Sequence, residues 1–152
     1  NCQRCGAVNV IRTNMKYITG FEFDKILLDA PCSGIGTIRK SPKTINMWNP
    51  KFALKLSMQQ KGLLKMAHSM LKDGGEMVYS TCTLEPEENE AVIDYAIKEL
   101  GMKVQKIDIN IKRSKPVLSF EGKEYDKSIK DALRIWPQDN DTEGFFVCKL
   151  RK

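Results

Sequence analysis

Two cysteines that follow apolar segments could supply a nucleophilic thiolate. Cys32 follows the apolar segment 25–28 in the sequence DAPCSG, and Cys82 follows 76–79 in the sequence YSTCT. A thiol becomes a strong nucleophile when cations or helix N-termini lower its pKa. Asp29, at the start of DAPCSG, could hydrogen-bond a heterocycle or move a proton. The residue types therefore suit covalent catalysis on a heterocyclic ring.

Attack on C6 of a pyrimidine would use all of these groups. The thiolate would add to C6, and a group at the N3 and amino edge would stabilise the charge that develops. C5 could then accept a methyl group, after which a base would remove the C5 proton and the thiol would be expelled. The alternative for either cysteine alone is a small buried core residue, which is common for cysteine. Two thiols at matched positions favour the catalytic interpretation.

The elements that position these residues alternate between strands and helices. The pattern predicts strands over 8–11, 24–29, 76–80, 104–109 and 145–150. One helix should begin at Asn49 and Pro50 and close at 73–75, and another should run from Pro86 to Gly101. Such alternation implies right-handed crossovers and a mostly parallel sheet, with 112–144 as a loop-rich hairpin region.

In an open parallel sheet, ligands bind outside the carboxyl ends of the strands. Four polar or thiol side chains fall at such ends, namely Asp29, Cys32, Ser80 and Cys82. We therefore expect them to share one rim of the sheet.

Composition limits the class of protein and its partners. The chain has 152 residues, 41% of them hydrophobic and 29% charged, which fits one soluble domain. Its net charge of +6 suits a polyanion such as RNA, with a generic basic surface as the alternative. Five cysteines and no apolar run of membrane-span length favour reduced thiols in the cytoplasm and no membrane partner. Cys2 and Cys5 are expected to be packed thiols, and no metal is expected.

Three segments resemble the Nol/Nop/Sun-type RNA (cytosine-5) methyltransferases, in that family's order and over nearly the whole chain. They are FDKILLDAPCSGIGTIRKSP, LSMQQKGLLKMAHSMLKDGGEMVYSTCTLEPEENEAVI and LRIWPQDNDTEGFFVCKL. The resemblance implies an α/β, Rossmann-like class I methyltransferase fold with an antiparallel last strand. It also implies S-adenosylmethionine as cofactor and RNA as partner, and we expect transfer RNA ahead of ribosomal RNA. The glycine-rich cofactor turn of that family has no counterpart here, so we expect residues 1–152 to be the C-terminal portion of one catalytic domain.

The resemblance implies a role for each matching residue. Cys82 matches the nucleophile, Cys32 the cysteine that helps release methylated RNA, and Asp29 the contact to the target cytosine. DNA enzymes instead use a Pro-Cys nucleophile, which would point to Cys32, but STCT followed by ENE favours Cys82. The expected cofactor contacts are Asn14, Asp29 and Pro31, with Asn14 or a backbone group replacing an aspartate usual in the family. The expected RNA contacts are Arg39, Lys40 and Arg134.

Other residues have more than one interpretation. Arg134, with Pro137, also matches a segment that would shape the site. Trp48 could stack on a base or anchor the entry to the first helix, and His68 is expected to be a structural or surface histidine rather than a catalytic one. A rival to the enzyme is a non-catalytic RNA-binding or assembly module on a methyltransferase scaffold.

Overall fold

A computed structural model describes residues 3–7, 9–14, 17–18 and 20–152. The described strands are β1 (Phe23–Asp29), β2 (Leu71–Thr81), β3 (Lys103–Gln105), β4 (Ser119–Phe120), β5 (Lys123–Glu124), β6 (Leu133–Ile135) and β7 (Phe145–Arg151). The described α-helices are α1 (Thr44–Met47), α2 (Pro50–Ser69), α3 (Glu90–Leu100) and α4 (Pro137–Asn140). In this part of the chain, no helix is both long enough and apolar enough to cross a bilayer.

The main sheet has the order β1-β2-β7. The other edge of β7 pairs with β6 over residues 145–147 and with β3 over residues 149–151, so these two short strands lie end to end. β1 is parallel to β2, and β7 is antiparallel to β2, β3 and β6. Four strands therefore point one way and the last strand points the other. This confirms the predicted α/β class with a mostly parallel sheet and a reversed last strand. β4 and β5 form a separate hairpin inside the loop-rich region predicted before the last strand.

The start of α2 follows from its sequence. Asn49 is extended, and its side-chain oxygen accepts a hydrogen bond of 2.9 Å from the backbone N–H of Phe52, while Pro50 opens the helix. The helix ends at Ser69, however, before the 73–75 closure that the sequence predicts. Leu71 already pairs with Phe23 in the sheet and is fully buried, so strand pairing overrides the helical pattern.

The bounds of α3 agree with the prediction at one end. Gly101 ends the helix in the left-handed conformation at φ 67°, as predicted. The helix begins at Glu90 rather than at Pro86, because Asn89 has a non-helical backbone and is held by neighbouring loops. Thr81 donates to the Asn89 side chain at 2.6 Å, and Asn89 in turn donates to the Thr83 carbonyl at 3.0 Å.

Three further predictions differ from the structure. Val8 lies outside the described residues, and 9–11 form no strand, since the outer edge of β1 has no partner strand in the described part of the chain. The strand predicted over 104–109 is limited to β3, and β6 was not predicted because three residues are too few to show a pattern. Cys2 also lies outside the described residues, and Cys5 is exposed.

The core lies between the sheet and the two long helices. α2 and α3 pack against each other, and their inward residues meet the buried residues of β2 and β7. Fully buried members of this core include Leu64, Met77, Tyr79, Ile93 and Phe146. This core fixes the ends of β1 and β2, at which the two predicted cysteines lie.

Candidate active site

The loops that follow β1 and β2 lie side by side. The pairing of Asp29 with Ser80 sets their register, and the Ala30 N–H donates to the Ser80 carbonyl at 3.0 Å. Just beyond the two strand ends, Cys32 Sγ lies 3.3 Å from Cys82 Sγ. The structure thus brings together the two thiols that are 50 residues apart in the chain.

Polar side chains extend this pairing on both sides of the thiols. Ser80 donates to the Asp29 carboxylate at 2.9 Å, and the hydroxyls of Ser33 and Thr83 are 2.7 Å apart. Asp29 remains exposed, and both thiols are half-buried. An exposed carboxylate therefore lies beside two partly shielded thiols, at the rim that the sequence predicts.

The pKa values of the two thiols are shifted in opposite directions. The pKa of Cys82 is lowered to about 7, chiefly because Cys32 donates a hydrogen bond to its sulfur, although burial and the carboxylates of Asp29 and Glu143 oppose this. The pKa of Cys32 is raised, chiefly by the same hydrogen bond and then by burial. The arrangement favours a thiolate at Cys82, with Cys32 as the protonated donor.

Two buried polar residues hold the loop that carries Cys32. The Ser33 N–H donates to Glu88 Oε2 at 3.0 Å, and the Gln60 amide donates to the same oxygen at 2.8 Å. Gln60 also donates to the Pro31 carbonyl at 2.9 Å. Glu88 and Gln60 are both fully buried, and the remaining acceptor oxygen of each has no hydrogen-bond partner among the described residues.

Sequence reasoning missed this pair. Gln60 occupies a position in the apolar stripe of α2, and Glu88 opens the ENE sequence. A buried polar residue needs hydrogen-bond partners, so a glutamine within an apolar stripe was the available signal.

A third backbone segment closes against both loops at Gly36. The Gly36 N–H donates to the Cys82 carbonyl at 3.0 Å, and the Gly144 N–H donates to the Gly36 carbonyl at 2.8 Å. A Cβ at position 36 would lie 2.5 Å from the Gly144 oxygen and 2.7 Å from the Cys82 oxygen. Only glycine lets these three backbones approach so closely.

Arg134 holds the loop that carries Cys82. Its guanidinium donates two hydrogen bonds to Glu90, at 2.9 and 2.8 Å, and one to the Leu84 carbonyl at 2.8 Å. Its side chain is only 2% exposed, and it also lies over the ring of Trp136. Arg134 therefore shapes the site, as one expectation holds. Its burial and its three hydrogen bonds hold it inside the fold, and the expected direct RNA contact stays a prediction.

The other predicted contacts are exposed. Arg39 lies at the surface with an ion pair of 2.6 Å to Asp141, and Lys40 follows it. Pro31 and Asn14 are also exposed, and their cofactor roles stay predictions.

The structure also places Trp48 and His68, which the sequence analysis left with more than one interpretation. Trp48 is 41% exposed and lies near Glu85, whose pKa is raised, chiefly by burial and then by Glu87. His68 lies in the last turn of α2, and the pKa of its imidazole is lowered, chiefly by partial burial and then by Lys152. Within the described ranges, no group of three His, Cys, Asp or Glu residues could hold a metal ion.

The sequence and the fold both match known methyltransferases. Residues 1–151 match the family model described as 16S rRNA methyltransferase RsmB/F. The tRNA (cytosine(49)-C(5))-methyltransferase of Pyrococcus abyssi is 45% identical over 86% of this chain and 42% of its own length. Ribosomal RNA small subunit methyltransferase F of Aliivibrio salmonicida is 42% identical over 100% of this chain and 32% of its own.

Two solved structures from Pyrococcus horikoshii have the same fold. A methyltransferase homolog protein superposes with a TM-score of 0.81 at 36% identity, over 99% of this chain and 47% of that one. NSun6, solved with SFG, gives 0.80 at 32% identity, over 99% of this chain and 36% of that one. The chain thus spans less than half the length of each of these relatives.

Proposed function

Because the chain belongs to the 16S rRNA methyltransferase RsmB/F family, we propose that the whole protein transfers a methyl group to C5 of a cytosine in RNA. The family match confirms the resemblance to Nol/Nop/Sun-type methyltransferases. The relatives include both a transfer RNA enzyme and a ribosomal RNA enzyme. We expect transfer RNA ahead of ribosomal RNA, since the relative that is 45% identical is named for cytosine 49 of tRNA.

The observation that carries this proposal is the pair of thiols 3.3 Å apart with opposite pKa shifts. A thiolate at Cys82 is ready to attack near neutral pH, since its pKa is about 7. Cys32 holds the proton in the resting site. The two cysteines therefore have different roles although they are close neighbours.

The first half of the reaction uses Cys82 and Asp29. The Cys82 thiolate bonds to C6 of the cytosine, and the electrons of the C5–C6 double bond shift onto the ring, which makes C5 nucleophilic. Asp29, exposed at the end of β1, contacts the N3 and amino edge and orients the ring. S-adenosylmethionine supplies the methyl group when bound, and the exposed Asp29 and Pro31 at the carboxyl end of β1 are accessible to it.

The second half uses Cys32. Once Cys82 is bonded to C6 it carries no charge, so the hydrogen bond that raises the pKa of Cys32 is lost. Cys32 can then release its proton to solvent, and the resulting thiolate takes the proton from C5. The electrons of that C–H bond restore the C5–C6 double bond, and Cys82 leaves as a thiolate.

The rival is an RNA-binding or assembly module that no longer catalyses. Such a module would have no need for two thiols at 3.3 Å with an exposed carboxylate beside them. Calorimetric titration of the whole protein with S-adenosylmethionine separates the two, since the enzyme should bind it and the module should not.

Two cysteine variants of the whole protein test the assignment of roles on a denaturing gel with substrate RNA. Cys82→Ala should form no adduct and methylate nothing, because it lacks the nucleophile. Cys32→Ala should accumulate an RNA–protein adduct, because the C5 proton stays in place. Cys5→Ala changes an exposed thiol and serves as the control. An adduct in Cys82→Ala and none in Cys32→Ala would reverse the roles.

A further inference from the structure

The positive charge of the chain is concentrated in the segment that follows β1. Of the 25 Lys and Arg residues, eight lie in residues 30–72, whereas all 19 Asp and Glu residues lie elsewhere. The net charge of +6 therefore comes from this one segment, and the remainder of the chain is slightly acidic. The segment begins in the loop that carries Cys32.

The four lysines between residues 40 and 58 have no ion pair with a described residue. Each of them is exposed, and the set consists of Lys40, Lys43, Lys51 and Lys55. The ion pairs of the segment involve Arg39, with Asp141, and Lys72, with Asp24. Since a paired cation is partly neutralised, the four unpaired lysines are the charges most available to a polyanion.

Exposed apolar side chains lie between these lysines. They are Ile45 at 54%, Met47 at 68%, Trp48 at 41%, Leu54 at 51% and Met58 at 70% exposure. We call the exposed residues of 40–58 the basic strip. Cations that track a phosphate backbone, together with an exposed aromatic ring for stacking, are typical of surfaces that bind single-stranded nucleic acid.

The basic strip adjoins both cysteine loops. The backbone N–H of Lys40 donates to the Thr37 carbonyl at 3.0 Å, in the turn that follows Cys32. Trp48 lies close enough to Glu85, three residues after Cys82, to influence the pKa of that carboxyl. Further along α2, the Ser57 hydroxyl donates to the Glu87 carbonyl at 2.6 Å.

We propose that the basic strip binds the single-stranded stretch of the substrate RNA next to the target cytosine. The lysines contact phosphates, and Trp48 stacks on a neighbouring base. This inference rests on the proposed function and extends it from the reacting base to the strand that presents it. An acidic protein is the competing partner for such a surface.

A triple variant, Lys43→Ala with Lys51→Ala and Lys55→Ala, tests the phosphate contacts. Binding of the whole protein to a fluorescent single-stranded RNA is measured by anisotropy over a range of KCl concentrations. Affinity near physiological salt should fall by about tenfold or more, and the slope of log K against log salt should drop by about 2. Each phosphate contact on a single strand releases roughly 0.7 counterions when the RNA binds, so the loss of three contacts lowers the slope by about 2.

The matched control is Lys106→Ala with Lys115→Ala and Lys127→Ala. These lysines are also exposed and also lack ion pairs with described residues, but they lie outside the basic strip. The control removes the same charge and should leave the affinity within about threefold and the slope nearly unchanged. Equal losses in both triple variants would mean that binding is diffuse, and the proposal would fail.

Trp48 variants test the stacking contact. Trp48→Ala should weaken RNA binding by about tenfold with an unchanged salt slope, since stacking releases no counterions. Trp48→Phe keeps an aromatic face and should retain most of the affinity.

Cys82→Ala separates this inference from the proposed function, because it should bind RNA normally while forming no adduct. Full RNA affinity in the first triple variant, or no RNA affinity in the unmodified whole protein, would overturn the inference and leave the surface to a protein partner. The adduct test would stand in either case.

Discussion

The Cys82 loop and the Cys32 loop end neighbouring parallel strands, but they are held in different ways. The Cys82 loop is fixed by buried side chains from later parts of the chain, through Asn89 to Thr83 and Arg134 to Leu84. The Cys32 loop is fixed largely by the Cys82 side of the site, through Gly36 and through Glu88. The Cys82 loop is therefore positioned by the rest of the fold, whereas the position of the Cys32 loop depends on the Cys82 loop.

This difference matches the proposed roles. A nucleophile must be held in one geometry before the substrate arrives. The residue that removes a proton later can depend on the state of the first, as the shared hydrogen bond between the thiols indicates. Variants that loosen the Cys82 loop should thus disturb both loops, whereas variants of the Cys32 loop should leave the Cys82 loop intact.

The largest effect is expected from removal of the Glu90 carboxylate, which holds Arg134 against the Cys82 loop. Glu90→Ala leaves the buried guanidinium of Arg134 without its charge partner. We expect the free energy of unfolding to fall by about 3–5 kcal/mol in urea denaturation. Lys72→Ala breaks the exposed pair with Asp24 and should cost far less, because solvent screens that pair. Similar losses in both variants would contradict the comparison.

A methyl group at the contact between the loops should come next. In Gly36→Ala, the new Cβ meets two carbonyl oxygens of the backbone, at 2.5 and 2.7 Å, which cannot rotate away. We expect a loss of about 3 kcal/mol in thermal or urea unfolding.

The control for this prediction is Gly62→Ala, in the interior of α2. A Cβ at position 62 meets nothing within 4 Å. Alanine there should stabilise the protein by about 0.5–1 kcal/mol, because glycine is the poorer helix former. A neutral Gly36→Ala would show that the three segments do not pack as described.

Glu88→Gln should affect the Cys32 loop alone. If the amide oxygen takes the place of Oε2, it still accepts from Gln60 and Ser33, but the new N–H₂ group replaces the buried Oε1, which has no hydrogen-bond partner among the described residues. The variant therefore weakens the two hydrogen bonds and buries an unpaired donor. We expect a loss of about 1–2 kcal/mol. Hydrogen exchange should increase at the Ser33 amide and stay unchanged at Ile93, in the core of α3. Equal increases at both amides would mean general loosening instead.

Cys32→Ala should change stability least and reactivity most. Without the hydrogen bond from Cys32, the pKa of Cys82 rises from about 7 toward the ordinary value of 9. The pH midpoint for alkylation of Cys82 by iodoacetamide, followed by mass spectrometry, should move upward by about one unit or more. Between the two values the original protein has a thiolate and the variant a thiol, and below pH 7 both are protonated.

Cys148 provides the internal reference for this measurement. It is fully buried, and burial raises the pKa of its thiol, so it should stay unmodified throughout. An unchanged Cys82 midpoint in Cys32→Ala would show that the thiol pair does not set the acidity.

The parts of the fold that depend on local pattern could be predicted. The Asn49 cap, the Gly101 stop and the two strands that lead to the cysteines follow from spacing and from turn residues. The end of α2 and the start of α3 could not, because Leu71 and Asn89 obey contacts with Phe23 and Thr83, far away in the sequence.

The candidate site shows the same division. The rim with its two thiols follows from the strand ends, but the Glu88 and Gln60 network does not, since hydrogen bonds between distant segments leave no periodic trace. The acid-free segment 30–72 was visible in the sequence, but only a search for missing charges would have found it.

The position of β7 has a consequence for how the protein is made. Although β7 is the last of the described strands to be synthesised, it lies in the middle of the sheet, with β2 on one side and β3 and β6 on the other. Until Phe145–Arg151 leaves the ribosome, β3 and β6 have no strand to pair with, and β2 is paired only with β1. The far edge of β2 therefore stays unpaired, and open to pairing with other chains, until β7 has been made.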